Sequence, residues 1–174
     1  MAYISRRYPE LASRALDPEI TRAAADGMSW LDATASRWNR DPELPPVLGQ
    51  ADGNLANFLW DGSRIAIVDF EESGWSDIPF ELAELVEHVG SWVDTDFAAD
   101  AFLAHFPLEA GELTRLTECR RLLALQWLIS LSLVSPDDDR NPPDTPVRQA
   151  RRVRALLECR EPACGSVPER TRPQ

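Results

Sequence analysis

Gln50-Ala51-Asp52-Gly53-Asn54-Leu55-Ala56-Asn57, followed a little later by Val68-Asp69-Phe70-Glu71, is the part of the chain whose reading decides the fold. Between the two segments lie the short apolar piece Asn57-Phe58-Leu59-Trp60 and then Asp61-Gly62, a pair that tolerates positive φ and predicts a two-residue hairpin turn. Arg64 to Phe70 supplies the returning strand. Asp52 and Asn57 therefore stand before a β-hairpin and Asp69 stands at its exit. Three oxygen-bearing side chains can converge this way even though 17 positions separate Asp52 from Asp69.

Outward from this centre the periodicity is helical. Asp17-Pro18-Glu19 is a helix start, because the carboxylate caps free N–H groups and proline tolerates the first turn. The helix is expected to run to about Trp38 and to be broken by the proline-bearing stretch 39–46. Val47-Leu48-Gly49 is a short apolar piece after that break. From Pro79 onward the period moves from two toward 3.6, with Leu82, Leu85, Val86 and Val89 on one face. Asp94-Thr95-Asp96 is expected to cap a short helix through Phe106. Glu109 to Ser135 reads as a long helix, Ser135 to Pro143 as a loop, and Thr145-Pro146 as the start of an Arg-rich helix ending near Glu158. The organisation expected is an N-terminal extension at 1–16, one lobe at 17–158 and a disordered tail at 159–174. The fold class is mainly α with a small β-hairpin.

Composition narrows the function. The 174 residues are 44% hydrophobic and 27% charged, enough for one core. A net charge of −11 argues against nucleic acid as a partner, since a phosphate-backbone binder carries a basic footprint. All 18 basic residues are arginine, with no lysine anywhere. Cys119, Cys159 and Cys164 form no CxxC pair, which fits a reducing cytoplasm. Arg6-Arg7 has no apolar run behind it to make a secretory signal. The most apolar stretch, Leu122 to Val134, is too short to span a membrane.

The oxygen cluster matches what phosphoryl transfer requires: a carboxylate to orient and accept the proton of an attacking hydroxyl, and an amide oxygen with a second carboxylate to hold magnesium against nucleotide phosphates. Asp52 fits the base; Asn57 and Asp69 fit the metal ligands. The stretch QADGNLANFLWDGSRIAIVDFEESGWSDIPFELAEL is similar to the core of the aminoglycoside phosphotransferases and choline kinases, which have an HxDxxxxN loop, a hairpin and an Asp-Phe or Asp-Trp strand. Gly74, Asp77 and Pro79 look like that family's Gly-x-x-Asp-Pro segment, with Ile78 inserted. The resemblance covers roughly residues 15 to 158.

It implies the helical C-terminal lobe of a protein-kinase-like fold, using ATP and Mg2+ to phosphorylate a small-molecule hydroxyl, with Asp52 as base and Asn57 and Asp69 binding nucleotide and magnesium. The family's β-rich N-terminal lobe and its ATP-clamping lysine have no counterpart here. The chain is thus expected to be weak or inactive alone, or to be a non-catalytic binding module or one half of a kinase completed by a partner chain or a second copy. A magnesium-dependent hydrolase is a weaker reading, for want of a second acid near Asp52. Gln50 stands where the family usually has histidine, and can still donate and accept in support of the loop; Asn54 reads as a turn former. Glu71, Glu72 and Asp77 are candidates for attracting a cationic substrate and Trp75 for stacking on it. His88 and His105 read as structural, and Arg148, Arg151, Arg152 and Arg154 as a solvated basic face.

Overall fold

In the computed structural model the capping carboxylate of Asp17 accepts from the Glu19 amide at 2.7 Å and starts the helix that the sequence announces. The structure describes residues 1–38, 44–135 and 139–159. Among these residues six α-helices and four short strands follow in the order α1 (Ala2–Ala12), α2 (Pro18–Trp38), β1 (Val47–Gly49), β2 (Phe58–Trp60), β3 (Ile65–Ile67), β4 (Gly74–Ser76), α3 (Ile78–Glu87), α4 (Ala99–Leu103), α5 (Ala110–Leu133) and α6 (Thr145–Glu158). The mainly helical reading holds. Most of the chain break expected at 39–46, and the tail beyond Cys159, lie outside the described residues.

Besides α4, which spans Ala99–Leu103 behind Ala98 in place of a helix capped at Asp94-Thr95-Asp96 and running through Phe106, three details differ from the sequence reading. The first is α1, in a segment read as an extension. Pro9 inside it and Arg6-Arg7 disguise the pattern, but Ile4 and Leu11, seven residues apart, fall on one face and are buried. Tyr3 Oη also meets Ser130 Oγ of α5 at 2.9 Å. The second is the hairpin turn. Trp60 pairs with Ile65, and the Asp61 amide donates to the Arg64 carbonyl, so Gly62 and Ser63 form the tip. Asp61 does not occupy the tip; its carboxylate instead accepts from the Ser63 and Arg64 amides at 2.8 Å each. The third is a second ribbon: β1 pairs antiparallel with β4, Leu48 facing Trp75 in register. Among the described residues the β structure is confined to these two two-stranded ribbons.

Helix α5 is the pillar. It is buried around much of its circumference because it serves two cores. Leu122, Ala124, Leu125, Leu128 and Ile129 meet α1, α2 and α6, while Leu116, Cys119 and Leu123 meet Leu82 and Ala83 of α3. The capping box between Glu109 and Glu112 satisfies its first amides.

Ion pairs then fix α3 against this pillar at both ends. Asp77 caps α3 by accepting from Phe80 N at 2.9 Å and takes Arg115 Nη2 of α5 at 3.0 Å on its other oxygen. Glu87, fully buried at the last turn, takes Arg120 of α5 and Arg152 of α6, each at 2.7 Å. Two of the α6 arginines, Arg148 and Arg152, accordingly turn inward from the expected solvated face, while Arg151 and Arg154 stay at the surface. Arg152 and Arg148 lie over the Trp92 ring, at 5.0 and 5.3 Å from its centre, and Arg151 pairs with Glu19 at 2.8 Å.

Removing one member of a buried pair strands its partner's charge. Glu87→Ala, which strands two arginines, is expected to lower the unfolding free energy by about 3–5 kcal/mol in a urea titration. A loss below ~1 kcal/mol, the scale of an exposed pair, would show that packing alone holds the end of α3.

Candidate active site

The loop between β1 and β2 is docked on α3 by two contacts. Gly53 lies so close to the carbonyl of Glu84 that a Cβ there would overlap it, so only glycine allows this approach. Two residues earlier, the Ala51 amide donates to Glu81 Oε2 at 3.1 Å. Ala51 has a φ of 58°, a left-handed conformation that costs free energy for a residue with a side chain. The Glu81 carboxylate holds it there.

Above this platform the loop organises Asp52. The Asn54 amide donates to Asp52 Oδ1 at 3.0 Å, and Asn57 Nδ2 donates to Oδ2 at 2.8 Å. Asn54 in turn caps the single-turn 3-10 helix Leu55–Asn57 by accepting from Ala56 N at 3.1 Å. Asn57 is buried, and spending its amide nitrogen on Asp52 leaves the amide oxygen as its free donor atom.

The strand after the hairpin is laced to the same loop. Val68 N donates to the Asn57 carbonyl at 3.0 Å, and Gln50 Nε2 reaches the Val68 carbonyl at 2.8 Å and that of Asp69 at 3.4 Å. Gln50 thus ties the loop to the strand that follows the hairpin. Asp69 is exposed and, like Ala51, left-handed, with a φ of 63°. Strained φ values of this kind concentrate at functional sites.

Of the residues singled out for a substrate, Glu71 and Glu72 form the exposed turn just after Asp69. Trp75 is 85% exposed on β4. Asp77 is buried, and both of its oxygens are taken by the cap and Arg115. His105 lies just beyond α4.

Two acids that the sequence pattern does not single out are closer to Asp52. A cavity of about 580 Å³ opens beside Asp52 and Gln50, walled by apolar groups including Leu48, Phe58, Ile67 and Phe97, with Glu81 and Glu84 in its lining and no basic residue among the described ones. Their spacing on α3, opposite Leu82 and Val86, was the available signal. Burial, together with the nearby charges of Glu81 and Asp52, pushes the Glu84 carboxyl up to about 7. His88, read from the sequence as structural, also sits here. Its Nε2 is 4.0 Å from Asp52 Oδ1, and burial lowers its pKa against the opposing pull of Asp52.

A carboxylate, an amide and a second carboxylate thus stand around one hairpin, carried by a mainly helical lobe of protein-kinase-like fold. The profile described as "Phosphotransferase enzyme family" matches residues 2–119, about two thirds of the chain, and the chain belongs to that family. The match takes in α1. No curated protein matches. The crystal structure of a choline/ethanolamine kinase family protein from Mesorhizobium loti is similar, with a TM-score of 0.57 and 25% identity over 91% of this chain and 54% of that one. The chain therefore spans about half the length of that protein.

The raised value at Glu84 has a thermodynamic signature. Between about pH 4.5 and 7 the folded chain holds a proton that the unfolded chain has released. This contribution to stability is complete below pH 4.5 and is lost as pH rises through 7. Denaturant titrations across this window should show the wild type losing up to ~3 kcal/mol more than Glu84→Gln. Parallel curves for the two proteins would show that the carboxyl titrates normally.

Proposed function

We propose that this chain is the catalytic lobe of a small-molecule kinase that transfers the γ-phosphate of ATP to a substrate hydroxyl. The observation that carries this reading is the shared hydrogen bond of Asp52 and Asn57 in a loop that Gln50 and Val68 tie to Asp69. Asp52, anionic and partly exposed, would accept the hydroxyl proton and point the oxygen at phosphorus. Its two amide hydrogen bonds fix the carboxylate's direction without neutralising it.

Asn57 Oδ1 and the Asp69 carboxylate would hold Mg2+. They are hard oxygen donors, and a set of two suits an ion that keeps several waters and takes its remaining ligands from phosphates. Among the described residues no three His, Cys, Asp or Glu side chains converge on a metal position, so the phosphates would complete any such shell. Bound there, magnesium neutralises charge on the transferring phosphate. The cavity lined by Glu81 and Glu84, with Glu71 and Glu72 on the nearby turn, fits a hydroxyl compound that also bears an amine. A cytoplasmic location follows from the use of ATP, and nothing in the reading calls for nucleic acid or membrane. Among the described residues no helix is long and apolar enough to cross a membrane.

A second reading, a lobe that binds or is completed by another chain, is favoured by the apolar surface of the ribbons. Leu48, Trp60, Ile65 and Trp75 are all more than half exposed.

Calorimetric titration of Mg·ATP into the chain, with Asp69→Ala as control, tests both. Weak binding that the substitution abolishes is the result expected of the kinase reading. No heat at millimolar nucleotide would sink it for the lone chain and favour the second.

A further inference from the structure

Asp52 makes two of its contacts within its own loop, to the Asn54 amide and the Asn57 side chain. Among the described residues, the ion-pair contact that reaches it from another element is His88. This histidine ends α3, its amide donating to the Glu84 carbonyl at 3.0 Å, and it caps the 3-10 turn Val89–Ser91. Its Nδ1 accepts from Gly90 N at 3.0 Å. A neutral imidazole that accepts at Nδ1 carries its proton at Nε2, the nitrogen facing Asp52 Oδ1 across 4.0 Å. The ring cannot swing freely, because it stands edge-on against Trp127 of α5, 84° between planes and 4.8 Å between centres. The turn itself lies under the catalytic loop: a Cβ on Gly90 would sit 3.7 Å from Asn54 Oδ1.

We infer that His88 is a positioning residue for the proposed base, its Nε2–H holding Asp52 Oδ1 while Asn57 holds Oδ2, so that the carboxylate is oriented from two elements. The inference rests on the reading of Asp52 as the base. At 4.0 Å the contact is a charge–dipole attraction longer than a direct hydrogen bond, and such contacts shorten when substrate fills the site. A neutral ring offers a donor without a competing full charge, leaving the second lone pairs of the carboxylate open to the incoming hydroxyl.

Two variants separate this role from the capping one. Asn at position 88 keeps an acceptor for the Gly90 amide and loses the Nε2–H; Gln keeps a donor near the Nε2 position and loses the cap. The readout is hydrogen exchange by NMR at the Asn54 amide and the Asn57 side-chain amide, both of which donate to Asp52, with the Leu125 and Leu128 amides of α5 reporting on the fold. His88→Asn is expected to speed exchange at Asn54 and Asn57 several-fold and leave α5 unchanged, while His88→Gln stays near the wild type. Unchanged exchange in His88→Asn, equal acceleration in both variants, or acceleration that includes α5 would overturn the proposal. A measurement on the unaltered chain stands beside these: long-range nitrogen–proton spectra should show His88 protonated at Nε2, and the Nδ1-protonated tautomer would overturn it. None of these readouts needs nucleotide. A chain that fails to bind Mg·ATP yet shows this pattern would lose the kinase reading and keep the arrangement.

Discussion

Everything at the site hangs on the contact between the Asp52 loop and α3. The Glu84 carbonyl meets Gly53 and the Glu81 carboxylate meets the Ala51 amide, so the loop inherits whatever position α3 takes. That position is fixed in turn by Arg115 at the capping residue of the helix and by Arg120 and Arg152 at the last. The order of support runs from the α5 core through three guanidinium groups to one short helix, and from there to a loop of eight residues. Arginine suits these clamps better than lysine, since its planar fork can give two N–H groups to one carboxylate, as Arg115 does to Asp77.

Crowding carboxylates around Asp52 would be costly if all were charged and bare. The structure resolves the conflict in different ways for each. Glu81 gives one oxygen to the Ala51 amide, Asp52 takes two amide donors, and Glu84, buried next to both, raises its affinity for a proton. One cluster thus holds carboxyl groups of different protonation within a single apolar wall, which lets a common residue type serve as anchor, base and neutral lining.

The helices were legible where capping and periodicity agree. Asp17-Pro18-Glu19, Glu109 and Thr145-Pro146 mark starts within a residue or so of those observed. Helix α1 was not, because Pro9 and the paired arginines speak against a helix locally and only packing of Ile4 and Leu11 on α5 reveals its reason. In the site, the link between Asp52 and Asn57 was readable from their spacing in one loop. The pairing of β1 with β4 and the approach of Glu81, Glu84 and His88 were hidden. They arise from α3 folding back under a loop thirty or more residues earlier, a long-range approach that the spacing within α3 does not specify. Asp77 shows the reverse error: its chemistry invited a substrate role, while its place before Pro79 at the head of α3 had already committed it to capping.

The strands are three residues long and those of the β2–β3 ribbon carry largely exposed side chains, whereas α5 is buried around much of its circumference. Free energies of opening follow burial, so the molecule divides into a helical body that opens only with global unfolding and a rim that opens by small, frequent excursions. Asp69 sits at the exposed end of that rim, while Asp52 and the buried Asn57 sit where the rim meets the body. The proposed base and its amide partner therefore belong to the rigid part and the proposed carboxylate ligand to the compliant part. Such a seam allows ligand binding to order one half of a site against a template that is already in place.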